Sequence, residues 1–161
     1  MLDKIDSLIL EALQTDSARK IHELARELRL PRSTVYHRIK KLETAGVIVG
    51  YKAVVDAAKL GRPVTVFVNI VTTGHSQKEV AKHLAMLGVV EEMFVVTGPH
   101  DLIAKVRLQD NAELGKFVFD EKKGVKSLKA TLRTESYVVL ETLKENAVIQ
   151  PTSLPQRPPA R

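Results

Sequence analysis

Apolar residues recur at helical spacing up to Ile48 and at strand spacing from Val64, and that change of period divides the chain. Ile5, Leu8, Ile9, Ala12 and Leu13 follow one helix face, opened by Asp3, whose carboxylate suits a helix start. After QTDSAR, a second helix runs from Lys20, with Ile21, Leu24, Ala25 and Leu28 inward. Only Arg29 and Leu30 separate it from a third, whose apolar face is Leu30, Val35, Ile39 and Leu42. Pro31 suits its first position and Gly46 a left-handed end. The β-branched run VIVGYKAVV predicts a short hairpin or wing that bends at Gly50.

Beyond the connection DAAKLGRP the spacing predicts a strand at Val64–Val71 and a helix at Gln77–Leu87. Strands follow at Val89–Gly98 and Leu102–Asp110, joined by the turn PHD. A helix at Asn111–Glu121, capped by Asp110 or Asn111 and closed by Gly124, leads into strand-rich sequence. The order βαββαβ is that of the ferredoxin-like split unit, an antiparallel sheet covered by two helices. The fold class is therefore α+β: a helix-turn-helix, winged or plain, at 1–50, a wing or linker at 51–62, and a ferredoxin-like domain at 63–149. The tail, 150–161, holds four of the chain's seven prolines without apolar periodicity and is expected to be disordered. The uncovered face of such a sheet is a natural surface for self-association.

Cysteine is absent from the 161 residues, which excludes disulfides and thiolate chemistry. No apolar run is long enough to span a bilayer, and Asp3, Lys4 and Asp6 are wrong for a signal peptide, so a cytoplasmic protein is expected. The net charge of +6 changes the picture through its placement. Asp3 to Glu27 is net acidic, whereas Arg29 to Lys52 carries six basic residues and one acid, Glu43. Such a local excess is the electrostatic footprint of a polyanionic partner.

The polar side of the third helix holds Arg32, Ser33, Thr34, His37, Arg38, Lys40 and Lys41. Two helices joined tightly, the second basic, form a helix-turn-helix whose second helix reads double-stranded DNA. Ser33, Thr34 and His37 suit base or groove contact, and Arg32, Lys40 and Lys41 suit phosphates. Arg38 suits either a phosphate or an internal pair with Glu43. The plain alternative is a solvated basic face.

Read together, LDKIDSLILEALQTDSA, IHELARELRL and STVYHRIKKLETAGVIVGY resemble the Lrp/AsnC family, the feast/famine transcription regulators. VTGPHDLIAKVRLQD is similar to that family's Thr-Gly-x-x-Asp turn and following strand, so the resemblance runs from Leu2 to Ile149. It implies a regulator that forms homodimers, assembles them to tetramers or octamers, and responds to an amino acid or related small effector. It also implies that the loop Thr97, Gly98, Pro99, His100 and Asp101 helps form the effector pocket where two dimers meet. Alone, that loop reads as a tight turn. Asp101 suits an α-ammonium, Arg133 or the loop's N–H groups an α-carboxylate, and Thr134 and Ser136 offer hydroxyls. One departure is Pro31, which stands where the family usually has a capping serine; loss of a cap typically costs ~1 kcal/mol.

No His-x-x-x-His pair and no phosphate-binding glycine loop are present, and the five histidines are scattered, so neither an enzyme, a metal nor a cofactor is expected. Two rivals are a sirohaem-decarboxylase-like enzyme on the same architecture and a stand-alone amino-acid-sensing assembly. The basic excess of Arg29–Lys52 disfavours both.

Overall fold

A computed structural model describes residues 2–151. The chain forms two compact units, one reaching to Val54 and joined by the residues from Lys144, the other Val55–Leu143. The expected tail lies, from residue 152, outside the described residues.

The first unit contains α1 (Lys4–Thr15), α2 (Ile21–Leu28) and α3 (Arg32–Thr44). Asp3 caps α1 by accepting from the N–H groups of Ile5 and Asp6, and Asp6 accepts in return from the N–H of Asp3. Three otherwise unpaired donors at the helix start are satisfied this way. Ile9, Leu24, Ala25, Val35, Ile39 and Leu42 form the core, where each large aliphatic side chain contributes roughly 1.5–3 kcal/mol by leaving water. Arg29, in the left-handed conformation, turns the chain between α2 and α3. Gly46, with φ +68°, ends α3, and the N–H groups of Val47 and Ile48 return to the carbonyl of Leu42.

Two expectations for this unit are corrected. Pro31 is the cap residue of α3 rather than its first helical position, and no side chain caps that helix. The run 47–55 bends at Val47 and Ile48 and contains no strand, so the predicted wing is absent. Val49 and Val54 are exposed there. β-branched residues favour an extended chain, but a strand also needs a hydrogen-bonding neighbour. Nearby, the backbone of Ile149 exchanges two hydrogen bonds with the side-chain amide of Gln14.

The second unit follows the order β1 (Val64–Thr72), α4 (Gln77–Ala85), β2 (Val90–Val95), β3 (Leu102–Leu108), α5 (Asn111–Phe119), a 3-10 turn (Val125–Ser127) and β4 (Thr131–Val138). The strands pair antiparallel in the order β2-β3-β1-β4, the ferredoxin-like arrangement expected. Alternation sends Val66, Val68, Ile70, Leu102, Ala104, Val106 and Leu108 to one face, where Val80, Leu84, Phe117 and Val118 of the helices seal them from water. The other face carries Phe67, Phe94 and Tyr137, all exposed, among the ion pairs of Lys105 with Glu91 and Glu92 and of Arg107 with Glu91. α5 is capped by Asp110, as one of the two expected candidates, but ends at Phe119 with Asp120 as its C-cap. Gly124 therefore does not close it. Gly124 sits in the return turn instead, where a Cβ would lie 2.6 Å from the backbone N and O of Asp120.

Candidate functional site

On α3 the core residues Val35, Ile39 and Leu42 fix which residues face outward. Arg32, Ser33, His37, Lys40, Lys41 and Thr44 are exposed, and Thr34 is half-buried. Sequence reasoning missed Tyr36, exposed on the same helix with its ring 5.6 Å from that of His37 in an edge-to-face arrangement. Its signal was position, one residue before His37 and at the flank of the apolar face.

The basic residues of this helix divide into two kinds. Arg38 donates to Asp3 at 2.6 Å and to Asp6 at 2.7 Å, not to Glu43. Asp6 is 3% exposed, so Arg38 neutralises a nearly buried carboxylate and ties the start of α1 to the middle of α3. The N–H of Asp6, and then Arg38, hold the Asp3 carboxyl below its ordinary value, and the two aspartates raise that of Arg38. Lys40 pairs with Glu43 at 2.7 Å, and the hydroxyl of Tyr51 donates to the same carboxylate. Lys40 and then Tyr51 lower the Glu43 carboxyl. Arg32 and Lys41 form no ion pair with a described residue. They are the cations of α3 left for an external anion.

In the second unit, Thr97–Asp101 joins β2 to β3. Gly98 has φ +123°, a conformation that a side chain would strain. The loop is held from below by Asp101. Its carboxylate accepts from the N–H of Thr72 at 2.7 Å and from the Thr72 hydroxyl at 3.1 Å, and its own N–H donates to the carbonyl of Ile70. The Thr72 N–H, with smaller help from the Thr72 hydroxyl and Gln77, lowers the Asp101 carboxyl below its ordinary value.

His100 points across to β4, where Nε2 lies 3.1 Å from Glu135. Glu135 also accepts from the hydroxyl of Tyr137 at 2.7 Å and pairs with Arg133 at 3.3 Å. Tyr137 and then His100 are the leading causes that lower its carboxyl. Glu135 and Tyr137 were not singled out from sequence. Their signal was strand alternation, which places them with Arg133.

The same alternation separates residues that sequence reasoning grouped. Thr134 opposes Ile70 and Ser136 opposes Val68 on the helix-covered face, whereas Arg133 opposes Val71 on the open face. The hydroxyl oxygen of Thr134 is buried and has no hydrogen-bond partner among the described residues. Of the loop residues, His100 meets Glu135, which Arg133 also pairs with, on the face opposite that of Thr134 and Ser136. Among the described residues no helix is long and apolar enough to cross a membrane.

Residues 2–43 match the AsnC-type helix-turn-helix domain and residues 65–149 match the Lrp/AsnC ligand binding domain. A helix-turn-helix-type transcriptional regulator of Pyrococcus abyssi is 33% identical over 94% of this chain and 100% of its own length. The structure of AsnC from E. coli superposes with a TM-score of 0.84 at 26% identity, covering 94% of this chain and 99% of that one. A feast or famine regulatory protein from M. tuberculosis, complexed with L-methionine, gives 0.83 at 26% identity, covering 94% and 100%. With both of its parts matched in order, the chain belongs to the Lrp/AsnC family of transcription regulators.

Proposed function

We propose that α3 enters the major groove of double-stranded DNA, with Ser33, Thr34 and His37 toward base edges and Arg32 and Lys41 on phosphates. Lys40 reaches a phosphate only by leaving Glu43, and Arg38 serves the same end indirectly by fixing the helix to α1. The observation that carries this reading is the divided face of α3: apolar residues lock its back, and on its front Arg32 and Lys41 have no acidic partner among the described residues. One such helix covers few base pairs, so the working unit is at least a homodimer on two half-sites. The open sheet face, with its exposed aromatics, supports that dimer, and the family supports tetramers or octamers.

The loop Thr97–Asp101, together with Arg133, is the seat of an amino-acid effector between dimers. The M. tuberculosis relative's complex with L-methionine supports an amino acid as the ligand class. Asp101 positions the loop, while Thr134 and Ser136, on the opposite face of the sheet, take no part. In this reading 1–50 is the DNA reader, 51–62 a connection and 63–149 the effector and assembly domain, with a tail from 150. The protein acts in the cytoplasm, without a cofactor and without catalysing a reaction.

A thermal-shift screen of the twenty amino acids, read with oligomer size and duplex binding, tests the whole scheme. At least one amino acid is expected to raise the melting temperature and change assembly. Absence of duplex binding even at low salt sinks the DNA reader, and absence of any amino-acid response sinks the effector site.

A further inference from the structure

Half of the chain's net charge of +6 lies far from α3 in sequence, in a stretch that the reading above does not use. From Lys116 to Lys129 there are five lysines against two acids, Asp120 and Glu121. All five lysines are exposed, and none forms an ion pair with a described carboxylate. Asp120, itself exposed, accepts from the backbone N–H groups of Lys122 and Lys123 at 2.8 and 2.9 Å, and these bonds, with smaller help from the two ammonium charges, hold its carboxyl below its ordinary value. The turn itself is sharply defined. The N–H of Gly124 donates to the carbonyl of Asp120, and the close seat of Gly124 leaves no room for a side chain. That return brings Lys126 back over α5, with Nζ 4.5 Å from the centroid of the exposed Phe119 ring.

We propose that the lysines around Phe119, at the end of α5, form a second, sequence-independent contact surface for the phosphate backbone of duplex DNA. The inference rests on the DNA-binding reading above. Flexible, exposed ammonium groups spread over a surface suit a row of phosphates better than one small anion. Lysine carries no bidentate base-reading fork, so the surface adds affinity and salt dependence but no sequence choice. Duplex DNA is favoured over an anionic membrane because α3 gives the same chain a grip on DNA. A second contact on the same polymer then forms at high effective concentration.

Equilibrium binding of the full chain to a random-sequence linear duplex, measured as a function of salt, tests this. Lys122→Gln/Lys123→Gln/Lys126→Gln is expected to flatten the log–log salt slope by ~2.7 per chain, at ~0.9 per lost phosphate contact. Lys122→Gln/Lys123→Gln keeps the Lys126–Phe119 contact and is expected to flatten it by ~1.8. Melting temperature should be unchanged in both. Wild-type slopes in both variants overturn the proposal, and so does loss of binding to phosphatidylserine vesicles with the duplex slope retained. Arg32→Gln/Lys41→Gln separates the two readings. If it alone loses duplex affinity, the lysine surface falls and the α3 reader stands. If only the lysine variants lose affinity, the α3 reader falls and the surface stands. A wild-type chain that binds no duplex removes both.

Discussion

Arg32 and Lys41 on α3 have no acidic partner among the described residues. At the β2–β3 loop, His100 and Asp101 both have partners before any ligand arrives. The two regions carry similar chemistry but spend it differently. On α3 a buried apolar face supplies the positioning, so the polar groups opposite can be kept for an external surface. The loop has little apolar backing, and its own polar side chains must hold it in place. Arg38 is the exception that sharpens the contrast, because it is a helix cation used as a loop residue would be, for internal anchoring.

Breaking that anchor should have the largest effect. Arg38→Ala leaves Asp6 nearly buried without its cation, and the melting temperature should fall by ~5 °C or more. Duplex affinity should fall with it. A fall in affinity with the melting temperature preserved would mean that Arg38 meets DNA itself. Calorimetric melts beside duplex titrations distinguish the two.

Asp101 can be divided in the same manner. Asp101→Ala removes the acceptor for Thr72 and should weaken amino-acid binding ~30-fold or more, with duplex binding retained. Asp101→Asn keeps an acceptor oxygen but not the charge. Retention of most ligand affinity in Asp101→Asn would confirm the positioning role, whereas equal loss in both variants would show that the charge meets an ammonium. Titration calorimetry with the best amino acid from the screen reads this directly.

Lys41→Ala should leave melting unchanged and flatten the salt slope by ~0.9. Lys40→Ala should change the slope less, because Glu43 already holds that cation. Equal slopes for the two would erase the distinction between spent and available cations on α3.

Acid should produce the smallest and most graded effect. Asp3, Asp101 and Glu135 are held below their ordinary values of 3.8, 3.8 and 4.5. The folded state therefore binds these protons more weakly than the unfolded chain. Their stabilisation is fully present above about pH 5 and is lost as pH falls through the lowered values. Denaturant melts across this range should show declining stability, and Asp101→Asn should make the decline shallower.

The elements whose apolar residues are both spaced and buried were legible in the sequence. The α1–α3 core and the alternating β1 and β3 were of this kind, because periodicity there reports burial directly. The run 47–55 was misread because composition reveals a preference for extension and not the presence of a pairing strand. Arg133, Thr134 and Ser136 were grouped by proximity in sequence, yet successive strand residues face opposite ways. The pairs Arg38 with Asp3 and His100 with Glu135 span thirty-five residues each, and no local pattern announces them. The outward polar side of α3 was legible as a set. Which of them were already engaged was not.

The pairing of β1 has a consequence in time. Among the described residues the α1–α3 core draws on Leu2 to Ile48, so it can close soon after that stretch leaves the ribosome. β1 also emerges early, but its neighbour β4 pairs Val66 with Val138. The central strand must therefore wait for most of the chain. At ~5–20 residues per second the interval between Ile48 and Val138 is roughly 5–20 s. During that interval a nascent chain carries a complete helix-turn-helix and an unfinished sheet, with the edge of β1 open to mispairing. Slowed translation between β1 and β4 would lengthen this exposure without altering a single residue of the finished protein.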